Sequence, residues 1–251
     1  MHKGHLALVR KAVQENDILV VSIFVNPAQF GPHEDFKKYP RPLKKDKALL
    51  RAGGADYLFI PSARQIYPPG FSTFVDMDPK LTGVLCGKFR PGHFRGVATV
   101  VTKLFNIVRP DTAYFGLKDF QQCVVVRRLV RDLNFPLRLR FIPTAREREG
   151  LALSSRNLYL SAEERRRASH ISQTLFWIRK EIRFGRKNLR RLKREAFRRL
   201  KSKVDRVDYF EIADPETLEP CKIVQGKMVA LAACFVGKTR LIDNVIIRIS
   251  K

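Results

Sequence analysis

The sequence predicts an α/β protein: an open, mostly parallel, Rossmann-like sheet followed by a smaller α+β domain. Three observations carry this. Apolar runs of strand length alternate with segments of helical periodicity from residue 5 to residue 142. The runs are continuous in Val, Ile, Leu and Phe, as strands covered on both faces require. Beyond about residue 143 the order changes to two long helical patterns and then three strands with turn signals between them. The domains are accordingly expected at 1–144 and 145–251.

The elements follow in order. Leu6, Val9, Ala12 and Val13 share one helical face over 5–15, and Asp17 to Val25 is a β-branched run. A charged helix is expected around 42–53 and a short strand from Asp56 to Ile60. Phe94 to Val108 is helical, stopped by Arg109-Pro110. Asp111 to Phe115 reads as a strand, Lys118 to Leu133 as a helix and Leu137 to Ile142 as a strand closed by Pro143. In the second domain helices are expected over 161–184 and 187–203, broken at Gly185. Strands follow at Val207 to Ile212, Lys227 to Cys234 and Arg240 to Ile249.

The chain has 251 residues, 49 Lys+Arg against 24 Asp+Glu and a net charge of +25. A hydrophobic content of 45% rules out wholesale disorder. No apolar run approaches the roughly 18 residues of a membrane span. The longest, Met228 to Val236, reads as a buried strand. The start, Met-His-Lys-Gly-His, does not read as a signal peptide. Cys86, Cys123, Cys221 and Cys234 form no Cys-x-x-Cys pair and have no His at zinc-ligand spacing. Reduced, buried thiols in a cytoplasmic protein are the expectation.

The charge is uneven. Residues 161–206 hold 17 Lys/Arg and 5 Asp/Glu. Leu189, Leu192, Ala196, Phe197 and Leu200 would form an apolar stripe on a helix, with cations on the remaining face. A nucleic-acid or membrane-surface helix is one reading and a solvated helix face the other. A base-stacking surface would interleave aromatics with the cations. Trp177, the single tryptophan, falls outside the densest run, so the solvated face is preferred and no nucleic-acid partner is expected.

Five short segments carry candidate chemistry. His2-Lys3-Gly4-His5 stands directly before a helix, whose N-terminus favours phosphate. Gly4 admits a close backbone approach, and both histidines can donate to phosphate oxygens. Asn26-Pro27-Ala28-Gln29 follows a strand, where ligands of open α/β sheets bind. Asn26 and Gln29 suit hydroxyls and carboxylates. Arg90-Pro91-Gly92-His93-Phe94-Arg95-Gly96 leads into a helix. Gly116-Leu117-Lys118-Asp119 follows a strand, with Lys118 suited to phosphate and Asp119 to a ribose hydroxyl. Ser154-Ser155-Arg156-Asn157 offers two hydroxyls and a bidentate guanidinium for a polyphosphate. Each could be an ordinary loop; five such loops at strand ends in one α/β chain argue against that for the set.

These segments, in this order and near this spacing, resemble the pantothenate synthetase (pantoate–β-alanine ligase) family. The strings are Val-Ser-Ile-Phe-Val-Asn-Pro-Ala-Gln-Phe, Arg-Pro-Gly-His-Phe-Arg-Gly-Val, Gly-Leu-Lys-Asp-Phe-Gln-Gln and Leu-Ser-Ser-Arg-Asn. The resemblance runs from His2 to Leu241-Ile242-Asp243-Asn244. His-Lys-Gly-His alone marks the wider superfamily of nucleotidylyltransferases and class I aminoacyl-tRNA synthetases.

The resemblance implies a two-step reaction: pantoate and ATP give pantoyl adenylate and pyrophosphate, then β-alanine gives pantothenate and AMP. It implies that His2, His5, Lys118 and Arg156 act on the phosphates. It places Gly4, Gly116, Asp119, Ala145, Leu153, Ser154 and Ser155 around ATP, and Asn26, Gln29 and Gln122 around pantoate. It associates Asp46 with Mg2+, though the neighbour that is often acidic in the family is Lys45 here. Leu117 stands where the family usually has Glu. A homodimer in the cytoplasm is implied.

Family members carry a segment before the His-x-Gly-His motif that includes the first strand of the sheet and a Pro-Thr-Met-Gly turn. Here Met1 directly precedes His2, so the expectation is a fragment or a misassigned start, with the first strand missing. Two other readings stand beside the ligase. One is an RNA-binding protein on a decayed nucleotidylyltransferase scaffold, motivated by 161–206. The other keeps the fold with a different acid or nucleotide, against which the Gln29 and Gln122 pair argues.

Overall fold

A computed structural model describes residues 1–32 and 34–249. The chain forms two compact units. One comprises Met1–Leu117 with Val125–Pro143; the other comprises Lys118–Val124 with the chain from Thr144 onward.

The first unit is built from short parallel strands and helices. Helix α1 (Lys3–Glu15) opens the chain, and β1 (Val20–Ser22) runs parallel to β2 (Tyr57–Phe59) with Val20 opposite Tyr57. Helix α2 (Leu43–Ala52) lies between them in sequence. The short helices α3 (Ala63–Ile66), α4 (Pro79–Thr82) and α5 (Cys86–Phe89) lead to α6 (His93–Val108). Then β3 (Thr112–Gly116) pairs in parallel with β4 (Arg138–Ile142), Thr112 opposite Arg138, across helix α7 (Phe120–Asp132). This is the parallel crossover arrangement the alternation predicts. Leu50, Ile66, Val97, Ala98, Val125 and Val126 are almost wholly buried, so the apolar stripes of α2, α6 and α7 make the core. Phe105 meets Phe115 and Phe135 edge to face.

One expectation is revised. The apolar run Asp17 to Val25 suggests a long strand covered on both faces within one sheet. Only Val20–Ser22 is strand, and Ile18 is 62% exposed. Among the described residues β1 pairs only with β2 and β3 only with β4, giving two parallel pairs. Apolarity signals burial, but a ladder extends only as far as a partner runs alongside, and β2 offers three residues.

The second unit is α+β. Helices α8 (Ala162–Arg183) and α9 (Leu189–Lys201) precede the antiparallel sheet β5 (Arg206–Ala213), β6 (Lys227–Val236) and β7 (Thr239–Arg248), in that order. Alternate residues of β6 (Met228, Ala230, Ala232 and Cys234) join Leu175, Ile178, Ile182, Leu192 and Leu200 in one apolar cluster. Three small residues in succession on that face allow helices to pack close to the sheet. Ser161 and Glu164 start α8 with a capping box.

The basic stretch is partly neutralised. Arg186 bonds Glu181 and Glu195, Arg191 bonds Glu195, and Lys193 pairs with Glu211. Hydrogen bonds from Arg186 hold the Glu195 carboxyl down at about 2. Arg199 lies over the Trp177 ring at 4.2 Å, so the tryptophan supports the helix pair.

Candidate active site

Helix α1 begins in an unusual way. His2 is its N-cap: His2 Nδ1 accepts from the Gly4 N–H at 3.2 Å, and His5 Nδ1 accepts from the His2 N–H at 3.3 Å. The two imidazoles perform the reciprocal bonding usually done by Ser/Thr and Glu/Gln. Their rings stack with centroids 3.8 Å apart. A nitrogen that accepts cannot carry the hydrogen, so in each neutral ring the proton resides on Nε2. The fold therefore presets two Nε2–H donors at a helix N-terminus, where anions are favoured.

Asp46 lies in the first turn of α2, is 6% exposed, and pairs with the Met1 ammonium. Among the described residues no three His, Cys, Asp or Glu side chains gather as a metal cage. The donor set does not fit a divalent ion held by protein ligands alone.

Asn26 and Gln29 bracket a tight turn, Pro27–Gln29, capped by the Asn26 side chain. Asn26 is 2% exposed. Its Nδ2 donates to the Gly96 carbonyl at 3.0 Å, and its Oδ1 accepts from the Ala28 N–H at 3.1 Å and the Tyr67 hydroxyl at 2.9 Å. Burial pushes the Tyr67 hydroxyl above its ordinary pKa, with the Asn26 bond opposing, so it stays a donor. Asn26 thus braces the turn. Gln29 differs: its side-chain amide has no hydrogen-bond partner among the described residues and is partly exposed.

The turn rests on α6. A Cβ at Gly96 would begin 2.2 Å from the Ala28 carbonyl oxygen, so only glycine fits there. Arg90 donates from Nη2 to the Gln29 carbonyl at 3.1 Å and from Nε to Glu34 at 2.8 Å. His93 Nδ1 reaches the same carbonyl at 2.8 Å. The sequence singles out the Arg-Pro-Gly-His segment without giving Arg90 or His93 a role. Nothing in it points to Glu34 or Tyr67, which join the turn only through the fold.

Gly116 closes β3, with no atom within 4 Å of where its Cβ would be. A ligand or backbone could approach it closely.

In the second unit Lys118 Nζ lies 3.4 Å from Asp119 Oδ1. Gln122, one turn on, is partly exposed, and its amide has no partner among the described residues. The Ala145 carbonyl accepts from the Leu153 N–H at 2.9 Å. Arg146 and Ala152 form an antiparallel bridge beside them. Ser154 caps the turn Ser155–Tyr159 through the Arg156 N–H. Asn157, 4% exposed, anchors that turn by donating to Glu147 at 3.1 Å and the Ala152 carbonyl at 3.0 Å. Arg165 donates to both Glu147 and the Asn157 carbonyl. Ser154, Ser155 and Arg156 thus sit on a short loop fixed at both ends, and each stays partly exposed. This is suited to hydrogen bonding a polyphosphate.

A pantoate–β-alanine ligase family model matches residues 1–246. A pantothenate synthetase from Pseudothermotoga lettingae is 53% identical over 249 residues, covering 98% of this chain and 88% of its own length. That of Moorella thermoacetica is 49% identical over 251 residues, covering 100% of this chain and 88% of its own. A crystal structure of pantothenate synthetase from Thermus thermophilus superimposes with a TM-score of 0.95 at 47% identity, covering 98% and 89% of the two chains. A pantoate–β-alanine ligase from Francisella tularensis, solved with β-γ ATP and β-alanine, gives 0.80 at 34% identity, covering 98% and 85%. With this match along nearly its whole length, the chain belongs to the pantoate–β-alanine ligase family.

Proposed function

We propose that the chain joins pantoate to β-alanine at the expense of ATP. The observation that carries this is the family match over residues 1–246. A pantoate carboxylate oxygen attacks the α-phosphorus, and the bond to pyrophosphate breaks. The β-alanine amine then attacks the acyl carbon, loses a proton, and AMP leaves with the acyl–oxygen electron pair.

The residues act by binding and charge stabilisation. His2 and His5 donate from Nε2 to phosphate oxygens as charge builds on phosphorus. Lys118 and Arg156 neutralise the departing pyrophosphate, helped by Ser154 and Ser155. Gly116, Asp119, Ala145 and Leu153 face the nucleoside, and Gly4 opens the helix start to the phosphates. Gln29 and Gln122 hold the pantoate hydroxyls and carboxylate, as their unengaged amides permit. Asn26 supports Gln29 by capping the 26–29 turn. Asp46, buried and paired with the Met1 ammonium, would at most lie near an ATP-bound metal and not form a protein cage for it. Mg2+ would come with the ATP phosphates as their counter-ion, part of the substrate.

We further read the protein as a cytoplasmic homodimer organised as domains 1–144 and 145–251. No helix among the described residues is long and apolar enough to cross a membrane. Light scattering on the purified chain should give about twice 29.0 kDa. The RNA-binding reading has no support among these relatives. The deciding test is AMP release: it should require ATP, pantoate and β-alanine together, and fall by about a hundredfold or more in His5→Ala and Arg156→Ala. Equal AMP formation without β-alanine, or none with all three, overturns the reading.

A further inference from the structure

A polar knot inside the second unit has no part in the chemistry above, yet it joins the segments assigned to ATP. Arg146 grips Asp243 with both terminal nitrogens, at 2.6 and 2.9 Å. The same guanidinium donates to the Gly150 carbonyl at 3.0 Å and the Asn244 carbonyl at 3.1 Å. It also lies 4.8 Å from the centre of the Phe176 ring. Asn244 is 5% exposed, and its backbone N–H donates to Asp243 at 2.7 Å. Its side-chain Nδ2 donates to the Lys118 carbonyl at 2.9 Å. Three stretches far apart in sequence are thereby tied together: the Lys118-Asp119 turn, the Ala145–Ser154 loop and β7.

We propose that Asn244, held by the Arg146–Asp243 pair, is a positioning residue that sets Lys118 against the Ala145–Ser154 loop for nucleotide binding. This rests on the reading of the chain as an ATP-dependent ligase. The bond from Asn244 goes to the Lys118 backbone, so it fixes the point from which the ammonium swings and leaves the ammonium itself available to phosphate. Arg146 acts on the other side. It is bridged to Ala152, and its neighbour Ala145 accepts from Leu153, so moving Arg146 moves both strands of the loop. A buried ion pair is a poor source of stability compared with apolar side chains of similar volume. Its best-supported use is to fix registry, here between two ligand-bearing segments.

The test is Asn244→Asp, which keeps the shape but turns an acceptor toward the Lys118 carbonyl. Three quantities are measured on the full chain: Kd for ATP by calorimetry without pantoate, KM for ATP in the AMP assay, and the thermal midpoint. Kd and KM for ATP should each rise about tenfold, the loss of roughly one hydrogen bond. Arg146→Lys, which keeps the charge but loses the fork, should fall between parent and Asn244→Asp. A purely structural residue would lower the midpoint and leave Kd and KM of the folded fraction unchanged, and values within about twofold of the parent overturn the proposal. If Asn244→Asp does not fold, Asn244→Ser is read the same way; if neither folds, the knot is a stability element and the proposal fails. A parent chain that binds ATP but makes no AMP sinks the ligase reading alone, because the Kd comparison still decides this one.

Discussion

His93 Nδ1 hydrogen-bonds the backbone carbonyl of Gln29 at 2.8 Å. A carbonyl only accepts, so His93 carries its hydrogen on Nδ1, and Nε2, 3.1 Å from Arg90 Nη1, accepts from the guanidinium. The histidine and arginine of one segment thus hold the main chain of Gln29, the residue proposed to bind pantoate.

His93→Ala removes one of the two side-chain donors to that carbonyl and should raise KM for pantoate about tenfold. KM for ATP should stay near the parent value. His93→Asn offers an N–H near the Nδ1 position and should recover part of the loss. Steady-state kinetics with each substrate varied in turn checks this; equal effects on both KM values would mean a general loss of structure.

Gly96→Ala should destabilise the protein by about 3 kcal/mol or more, because the new methyl overlaps a backbone oxygen that cannot rotate away. Urea unfolding followed by circular dichroism measures it. A change under about 0.5 kcal/mol would show that the turn has room to shift.

Acid should weaken the α8–α9 pair before neutral pH does. The Glu195 carboxyl, ordinarily near 4.5, sits at about 2 because Arg186 and then Arg191 bond it. A depressed folded-state value means the contribution is complete above the unfolded value and is lost as pH falls through the folded one. The thermal midpoint should therefore drop between about pH 4.5 and about pH 2, and Glu195→Gln should flatten that part of the curve. An unchanged slope in the variant would assign the acid sensitivity to other carboxylates.

Cys234 should resist thiol reagents in the native state. Burial pushes its thiol up to about 12, and that of Cys221 up to about 11. Since the thiolate is the nucleophile, both should label slowly at about pH 8 and rapidly in urea. Native labelling of Cys234 at the rate of a free thiol would contradict its burial in β6.

Much of this was legible in the residues. Strand–helix alternation marks the parallel pairs, because a strand fed by a crossover helix leaves two distinct periods in the sequence. Of the stripe Leu189, Leu192, Ala196, Phe197 and Leu200, all but Phe197 face the core of the second unit; Phe197 is 39% exposed. The extent of β1 was not legible, since hydrophobicity carries no information about how long the partner strand is. Nor were the roles of Asn26, Glu34 and Tyr67, which depend on contacts across 41 to 70 positions of chain. Lys118 and Asp119 could be picked out by type and placement, but the Asn244 bond to Lys118, 126 positions away, could not.

The contact of Ala28 with Gly96 bears on how a small acid would be met. With no side chain at Gly96, the 26–29 turn packs directly on the first turn of α6, and Asn26 bonds the Gly96 carbonyl. A floppy turn would have to be ordered by each incoming molecule, at about 1–2 kcal/mol of entropy per residue fixed. Here the bonds from Asn26, Tyr67, Arg90 and His93 already tie the turn down, which under the proposed reading would lower that cost for a small acid. If Gln29 binds the acid as proposed, discrimination between similar hydroxy acids would rest on the reach of its amide rather than on rearrangement of the wall behind it.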